Sequence, residues 1–526
     1  MGTIGSMETA LPTLVALLGV LGLAGWVAPR ISVPPPILVA ITGVVWASFP
    51  ALRPPHIAPS AILSLVLPPL LYADAWNASW LDFRRWLRPI LQLAVGLVAF
   101  TILVVGLVAK TLLPELPWAG CFLLGAILSP TDTVAMHSVL ERLRIPRRAT
   151  AILSGESLIN DATALVGVQL ALVVLLTGAF EADSIAFGFA RVAGLGLAVG
   201  LAVGALAVWL NCRLSGTQIL FAFSLFAPYL AYAVAEALHA SGVLAVVVAG
   251  FVASWRIDLI AAESRVSLTA SWRDVEFLLN GVMFLYIGLE TPAALSLAHG
   301  QMPSFTTVAL VISAAVVIAR VVWIFPGAYV PLWLWPRLRA IEGGYPSPRA
   351  VTLAAWCGVR GAVSLAAALA VPAALPDGSD FPGRSAIVAC TLAVILITLL
   401  GQGLTLPLAV RWLGLKEDDT TQTDLRRARE ALLRAGIARL DAFCSEESCP
   451  IAVYRLRDGM ADQLAELKAE DALERDHAAR RLAVSREVRR AIHAAQSAEL
   501  LRLRDQEAIN DLTHQSLQLE LDRESG

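Results

Sequence analysis

One apolar segment of the chain is interrupted by a polar stretch that reads Ser154-Gly155-Glu156-Ser157-Leu158-Ile159-Asn160-Asp161. The segment as a whole, residues 149–177, is long enough to cross the roughly 30 Å hydrocarbon core of a bilayer as a single helix. Each ionisable side chain inside such a helix is unfavourable by about 2.5 to 3.5 kcal/mol, so it normally faces a cavity or a charged partner. The stretch therefore predicts a membrane helix that carries a functional site.

Helical geometry gives the two acids of this stretch different surroundings. Glu156 and Asp161 are five residues apart, which separates their side chains by about 140° around the helix. Ser157 and Asp161 are four residues apart and share one face, so their oxygen atoms can approach the same cation. Hard cations prefer such oxygen ligands. We predict that Asp161 faces an ion path and that Glu156 has a different role.

The composition of the whole chain is that of a membrane protein. Of the 526 residues, 57% are hydrophobic and only 16% are charged, and the mean hydropathy is +0.69. The formal net charge of -2 offers no basic face for nucleic acid, so we expect no nucleic-acid partner. The six cysteines form no Cys-x-x-Cys motif, and we interpret them as inert thiols.

Hydropathy predicts thirteen membrane spans between Leu11 and Trp412. Arginines concentrate in the odd-numbered connections between these spans, whereas the even-numbered connections carry only Arg53, Lys110 and Arg384. By the positive-inside bias, the odd connections and the C-terminus lie in the cytoplasm and the N-terminus lies outside. We therefore predict a multi-pass protein of the plasma membrane, the inner membrane of a bacterium.

The composition changes abruptly after Gly414, where a polar stretch with helical spacing begins. This change predicts two domains, a transmembrane domain over residues 1–413 and a cytoplasmic helical tail over residues 414–526. The tail is either an appendage that supports packing or dimerisation, or a regulatory module.

Six ionisable residues within the predicted spans need a physical explanation. They are Asp74, Asp132, Glu156, Asp161, Arg320 and Arg360. The lone arginine in the eleventh span, Arg320, requires an acidic partner. Glu156 is the candidate that remains once Asp161 faces the ion path, and we interpret the two as a structural ion pair.

Two further spans contain signals that interrupt a helix. The fifth reads Leu128-Ser129-Pro130-Thr131-Asp132-Thr133, and the twelfth reads Cys357-Gly358-Val359-Arg360-Gly361. Irregular backbone at membrane depth is tolerated only where protein or a water-filled cavity covers it. The two spans run in opposite directions, and paired interruptions of this kind are typical of inverted-repeat transporters with a midplane site. The alternative is a pair of kinks without functional meaning.

Four stretches together resemble the monovalent cation/proton antiporter family, in its sodium/proton exchanger branch and that branch's bacterial members. They are Pro68-Pro69-Leu70-Leu71-Tyr72, Ser129-Pro130-Thr131-Asp132-Thr133-Val134-Ala135, Gly155-Glu156-Ser157-Leu158-Ile159-Asn160-Asp161 and Gly358-Val359-Arg360-Gly361-Ala362-Val363-Ser364. The similarity extends over roughly residues 11–412. It implies an all-α polytopic fold of about thirteen transmembrane helices, with two inverted repeats and broken crossing helices. It also implies a homodimer that exchanges Na⁺ for H⁺ by rigid-body movement of a core domain.

The resemblance also implies roles for individual residues. Asp161 is the carboxylate that binds the cation or the proton, and the residues expected around it are Asn160, Asp132, Thr131 and Ser157. Of these residues, Asp161, Asp132 and Ser157 are the expected ligands of the transported Na⁺.

The remaining intramembrane charges receive supporting roles from the same resemblance. The pair of Glu156 with Arg320, and also Arg360, support the core. Many prokaryotic relatives carry a glutamate immediately after the aromatic residue that is Tyr72 here. This chain has Ala73 at that position and Asp74 one step later, which makes Asp74 a candidate accessory acid.

These observations favour obligatory exchange at a single carboxylate. A group that binds a proton or a cation, but never both, couples the two fluxes under alternating access. Because Asn160 stands beside Asp161 where a second acid could stand, and the spans contain no lysine except Lys110 near an end, we predict one-for-one electroneutral exchange.

Other functional classes are less well supported by the sequence. The chain contains no P-loop, no His-Glu-x-x-His and no Gly-x-Ser-x-Gly motif, so we predict a transporter that is not an enzyme and needs no cofactor. Li⁺ is a further candidate cargo beside Na⁺. The alternatives are a K⁺/H⁺ antiporter of the same fold, a cation channel and a sensor based on the tail.

Overall fold

The computed structural model describes residues 2–31, 33–49, 64–132, 145–177, 182–214, 216–301, 304–375, 379, 381–415, 419–446, 451–468, 487, 491–503, 506, 513, 517, 518 and 521. These residues are almost entirely helical. They belong to two compact units, Met1–Glu417 and Asp418–Gly526. The first unit contains every predicted membrane span.

The described residues of the first unit form a succession of helices. Up to the helix that carries the polar stretch, they are α1 (Gly2–Ile31), α2 (Pro35–Ala47), α3 (Leu67–Asn77), α4 (Trp80–Arg85), α5 (Leu87–Leu91), α6 (Val98–Leu112), α7 (Trp118–Leu128) and α8 (Arg147–Thr177). A π-helical turn, Gln92–Leu97, joins α5 and α6 into one rod.

The second part of this unit continues in the same way. Its helices are α9 (Ala182–Arg213), α10 (Thr217–Ala237), α11 (Gly242–Trp255), α12 (Ala262–Gln301), α13 (Phe305–Leu334), α14 (Pro336–Ile341), α15 (Pro348–Trp356), α16 (Ala362–Leu369), α17 (Arg384–Thr398) and α18 (Leu404–Leu413). A second π-helical turn, Leu399–Gly403, joins α17 to α18.

Length and composition identify helices that suit a bilayer. Within the described ranges, seven helices are long and apolar enough to cross a membrane. They are Leu87–Leu112, Arg147–Leu176, Ala190–Arg213, Thr217–Ala237, Ala262–Ser296, Phe305–Leu334 and Arg384–Leu413. Four shorter apolar helices accompany them, namely Val15–Ala28, Pro35–Ala47, Trp118–Leu128 and Gly242–Trp255. The all-helical polytopic fold is confirmed, whereas the count of thirteen spans remains a prediction.

Large apolar side chains are exposed on the outer surface of this unit. On α6, Leu103 and Leu107 are about half exposed, and on α13 the same is true of Ile318 and Val322. Contiguous apolar surface of this kind is a liability in water but is satisfied by lipid tails. The surface therefore fits a protein that is surrounded by a bilayer.

The two predicted interruptions occur where the sequence places them. Helix α7 ends at Leu128 and is followed by non-helical backbone up to residue 132, while residues 357–361 separate α15 from α16. The two breaks bond to each other, because the backbone N–H of Asp132 donates to the carbonyl of Val359 at 2.8 Å. This contact satisfies backbone groups that a broken helix would otherwise leave without partners inside a membrane.

Helix α8 lies between two hydrophobic clusters. Leu153 and Val168 belong to the cluster built largely from α7, α13, α16 and α17. Leu158 and Ala162 belong to the cluster built largely from α3, α10 and α11. The polar stretch of α8 is thus positioned where two separately packed groups of helices meet.

Helix α3, which carries Asp74, is anchored by aromatic side chains and by a close helix contact. The ring of Tyr72 lies 5.0 Å from that of Trp272, measured between centroids, and the Trp272 indole N–H donates to Ser224 at 2.8 Å. On the facing helix α11, a Cβ atom at Gly250 would lie 3.0 Å from the carbonyl oxygen of Tyr72. Small residues allow such close backbone approach between membrane helices, and here they fix the position of α3.

The second unit contains two long helices, α19 (Asp419–Glu446) and α20 (Ile451–Lys468). They are linked by an ion pair of 2.6 Å between Arg457 and Asp441 and by a bond from Arg426 Nε to the carbonyl of Leu467. Cys444 is disulfide-bonded, so the interpretation of all six cysteines as inert thiols is wrong for this residue. The spacing of cysteines along the sequence does not by itself indicate which thiols the fold brings together.

Candidate ion-binding site

A small cavity lies beside the polar stretch of α8. Its volume of about 20 Å³ is close to the roughly 10–15 Å³ that one water molecule requires. Three carboxylic acids line it, Asp74, Asp132 and Asp161, together with Thr131, Ser157 and Asn280. Among the described residues that line it, none is a lysine or an arginine. The cavity therefore offers oxygen ligands and negative charge to one small cation or to a proton.

The acids reach this cavity from three different parts of the fold. Asp161 is supplied by the middle of α8, Asp132 by the break after α7, and Asp74 by α3. Asp161 is 7% exposed, whereas Asp132 and Asp74 are half-buried. Ser157 lines the same cavity as Asp161, as expected for two residues one helical turn apart on one face.

The break after α7 is held against α8 by hydrogen bonds to Thr131. Ser157 Oγ donates to the Thr131 carbonyl at 3.0 Å, and the Asn160 amide donates to the same carbonyl at 3.3 Å and to the Thr131 hydroxyl at 2.8 Å. Asn160 does not line the cavity. Its contacts position Thr131 rather than the cavity itself.

Glu156 and Arg320 form a buried ion pair outside the cavity. Both side chains are 1% exposed. The guanidinium donates to both carboxylate oxygens, the second through Nη2 at 2.9 Å. Arg320 also donates through Nε to the carbonyl of Ala354, the residue that lies just before the break after α15, at 3.1 Å. A buried pair of this kind is retained only when its remaining donors and acceptors are satisfied, and here the donors are.

The ion pair is connected to the cavity through one hydroxyl group. The Thr131 hydroxyl donates to Glu156 Oε1 at 3.0 Å while it accepts the bond from Asn160. The arginine therefore orients the glutamate, the glutamate orients Thr131, and Thr131 lines the cavity. Glu156 acts on the site indirectly, which agrees with its different direction on α8.

Arg360 lies where the two broken helices cross. It is fully buried, and its Nη1 donates to the carbonyl of Ser129 at 2.6 Å. That carbonyl belongs to the C-terminal end of α7, where the helix dipole is negative and a cation is favourable. Within the described residues, Nε and Nη2 of Arg360 have no hydrogen-bond partner.

Asp132 lies against the start of α16. A Cβ atom added to Gly361, the residue that precedes this helix, would overlap the Asp132 carboxylate. The positive end of the helix dipole therefore faces the acid. Only glycine leaves this space, so the glycine of the twelfth span supplies room for the carboxylate as well as backbone freedom.

The displacement of the acid from position 73 to position 74 does not remove it from the cavity. Ala73 is fully buried, and Asp74 lines the cavity together with Asp161. Asp74 also interacts electrostatically with Asp132 and Asp161. The structure thus brings the candidate accessory acid to the other two.

Sequence reasoning missed one residue of this cavity. Asn280 on α12 is 6% exposed and lines the cavity. An asparagine in the middle of the apolar tenth span was a usable signal, because buried polar groups in membrane helices normally serve a site. Only the four acids and two arginines within the spans were considered.

Two larger cavities lie on either side of Asp161 along α8. One, of about 530 Å³, is lined by Ser154, Ser157 and Leu158 of this helix. The other, of about 190 Å³, is lined by Val166 and Gln169 among other residues. Asp161 lies between these two sets on the helix. The site is thus flanked by open volume in both directions along the helix axis.

Known proteins share this fold and this sequence. Residues 14–412 match the family described as sodium/hydrogen exchanger, transmembrane. An uncharacterized Na⁺/H⁺ exchanger of Mycobacterium tuberculosis is 34% identical, over 98% of this chain and 95% of that protein. A sodium, potassium, lithium and rubidium/H⁺ antiporter of Bacillus pumilus is 30% identical, over 81% of this chain and 65% of that protein.

A solved structure extends the similarity to three dimensions. The sodium proton antiporter of Methanocaldococcus jannaschii aligns with a TM-score of 0.60, covering 77% of this chain and 100% of that one. At 18% identity this alignment shows a shared fold. The resemblance drawn from the four sequence stretches is thereby confirmed, and the chain belongs to the sodium/hydrogen exchanger family, a family of membrane antiporters and not of enzymes.

Proposed function

We propose that this protein exchanges Na⁺ for H⁺ at Asp161, for sodium and pH homeostasis. The observation that carries the proposal is the small cavity, whose described lining includes three acids and no base around a volume suited to one ion. A cation and a proton compete there for the same carboxylate, because binding either one neutralises the charge that attracts the other. Family membership supports the coarser statement that the transport is cation/proton antiport.

The proposed roles follow from the contacts of each residue. Asp161 releases its proton before it binds the cation, and Asp132 and Ser157 supply further oxygen ligands. Asp74 adds a third carboxylate to the cavity, from α3. Asn160 holds Thr131 in place, while Arg360 stabilises the crossing of the broken helices.

Alternating access is supported by the two flanking cavities. The lining of the larger one includes Pro36 and Asn77, which lie at the ends of α2 and α3 next to connections predicted to be cytoplasmic, and also Ser154 and Arg273. We infer that this cavity opens to the cytoplasm. The cavity of about 190 Å³, which is lined by Ser241, then opens to the outside of the cell. Movement of one hydrophobic cluster against the other would open each in turn. The N-terminus is then outside and the C-terminus is cytoplasmic. From the family resemblance, we also propose that the functional unit is a homodimer.

Reconstitution tests the proposal directly. Purified protein in liposomes with an internal pH dye should show a pH change when Na⁺ is added outside, and a similar one with Li⁺. The readout separates an antiporter from a channel, because a channel passes current without obligatory proton movement. Liposomes without protein are the control, and an absence of cation-driven pH change with Na⁺, Li⁺ and K⁺ alike would refute the proposal.

The exchange is expected to be electroneutral, one cation for one proton. In the proposed cycle, one proton on Asp161 is replaced by one monovalent cation, and Asn160 beside it carries no charge. Clamping the membrane potential of the proteoliposomes at several values with K⁺ and valinomycin should leave the Na⁺-driven rate unchanged. A rate that changes systematically with the clamped potential would show that net charge moves.

K⁺/H⁺ exchange is the second candidate. It is favoured by the similarity to the Bacillus pumilus protein, whose name includes sodium, potassium, lithium and rubidium. The same liposome assay separates the two, since a K⁺ exchanger acidifies or alkalinises the lumen with K⁺ at concentrations where Na⁺ has little effect.

A regulatory role of the tail is tested by removing residues 414–526 and measuring whether exchange persists.

A further inference from the structure

The small cavity continues into the larger one that we assign to the cytoplasmic side. Three residues line both of them, namely Asp74, Ser157 and Asn280. An ion that moves from the larger cavity to Asp161 therefore passes these side chains. Polar groups just outside this passage are candidates for binding the ion before it arrives.

Two helices present oxygen-bearing side chains to the larger cavity. On α3 they are Asp74 and Asn77, which are three residues apart, and on α12 they are Glu276 and Asn280, which are four residues apart. Residues at such spacings lie on one face of a helix. The Asn77 amide donates to Glu276 Oε2 at 2.9 Å, so the two faces meet across the cavity.

Asn280 indicates that this group of side chains is built for a ligand. Its side chain is more than nine-tenths buried and lines both cavities. Within the described part of the chain, however, its amide forms no hydrogen bond. Because this amide faces the cavities, an ion with its remaining water would provide it with a partner.

The charges around the group favour a cation. Asp74 interacts electrostatically with Glu276 as well as with Asp132 and Asp161. Carboxylates this close repel one another unless a cation or a proton lies between them. Arg273 also lines the larger cavity, one turn before Glu276 on α12, and opposes the attraction.

We propose that Asp74, Asn77, Glu276 and Asn280 form a second cation site, an entry site that holds a monovalent cation in the larger cavity before Asp161 receives it. This inference rests on the proposed exchange at Asp161. The ligands are two carboxylates and two amide oxygens, the ligand types that hard cations prefer. The entry site raises the local cation concentration and so lowers the apparent KM, while the small cavity around Asp161 is the site from which the ion is carried across.

Kinetics provide the first test, with Na⁺ as the probe in proteoliposomes. Glu276→Gln should raise the apparent KM for Na⁺ about tenfold, as expected for the loss of one charged ligand, and should largely retain the maximal rate. Asn280→Ala should also raise the KM, and it should lower the maximal rate because Asn280 lines the cavity of Asp161 as well. Arg273→Gln should change the KM in the opposite direction. Glu263→Gln, which removes the same charge from an exposed position on the same helix, serves as the control with unchanged KM.

Binding provides a second test that does not depend on transport. Na⁺, compared with choline, should raise the melting temperature of the purified protein through binding to the folded state. The increase should persist in Asp161→Asn, because the entry site remains, and should disappear in Asp161→Asn combined with Glu276→Gln. If Asp161→Asn alone removes the increase and Glu276→Gln leaves the KM unchanged, the entry site does not exist. That result would leave exchange at Asp161 intact, whereas continued exchange by Asp161→Asn would instead refute the proposed function.

Discussion

An Asp161→Asn variant is expected to fold normally and to lose cation/proton exchange, with the flux falling to that of protein-free liposomes. Asparagine has nearly the same shape as aspartate, so the buried contacts of α8 are preserved. It cannot release a proton, however, and it offers no charge to a cation inside the cavity. The measurement is the dye response of proteoliposomes to Na⁺, with folding followed by size-exclusion chromatography and thermal unfolding.

Two companion variants sharpen this result. Asp161→Glu keeps the charge and should retain measurable exchange, because a longer carboxylate still competes for proton and cation. Asp258→Asn removes an exposed acid from the short turn before α12 and should exchange ions like the wild type. Undiminished exchange by a correctly folded Asp161→Asn protein would show that another group carries the proton.

A Glu156→Gln variant is expected to lose much of its stability, by about 3–5 kcal/mol of unfolding free energy, the usual effect of breaking a buried ion pair. The substitution keeps the size of the side chain and an acceptor for the Thr131 hydroxyl, but it leaves the charge of Arg320 buried without an opposite charge. The two side chains are each 1% exposed, so water cannot replace the lost partner. Thermal unfolding of the detergent-purified protein measures the loss.

The surface pair of Arg147 with Asp82 provides a matched control. It joins the same kinds of group at 2.8 Å, but the arginine side chain is 52% exposed. Arg147→Gln should therefore change the stability by only about 0–1 kcal/mol, the range for exposed ion pairs. The double variant Glu156→Gln/Arg320→Met should recover much of the loss, because it removes the unpaired charge. A Glu156→Gln protein as stable as the wild type would show that the ion pair does not support the fold.

These two predictions separate the intramembrane charges by their surroundings. The acids that line the cavity have room beside them for an ion, whereas Glu156 and Arg320 neutralise each other away from it. The two groups are nevertheless coupled through Thr131, which bonds to Glu156 and Asn160. We therefore expect loss of stability and loss of exchange to coincide in Glu156→Gln, while Asp161→Asn loses exchange alone.

Much of this architecture follows from local sequence rules. The helical period is sufficient to predict that the side chains of Glu156 and Asp161 point in different directions, because the angle between two residues on a helix depends only on their separation in sequence. Pro130 and the glycines of the twelfth span mark the breaks, because they weaken a helix whatever surrounds it. A lone arginine at mid-depth requires an acid, and Glu156 was the acid without another role.

Other features depend on contacts between distant segments. No local rule brings Asp74 of α3 into the cavity of α8. The resemblance predicts Asn160 among the residues around the ion, and only the structure shows that its amide is bonded to Thr131. Asn280 and Glu276 were overlooked because one is uncharged and the other lies near the end of its span. Their significance depends on α3 and α12 facing each other across one cavity.

By itself, the sequence determined that the chain crosses a membrane as many helices, that two of them break, and that buried acids and arginines must find partners. These properties follow from the hydrophobic length of each segment and from the free energy of a charge in lipid. The sequence also indicated Glu156 as the partner of Arg320, and only the tertiary structure decided the rest: that the break at Asp132 bonds to the break at Val359, and that three acids surround one small cavity. Such pairings arise from the packing of segments far apart in the chain, which no single segment encodes.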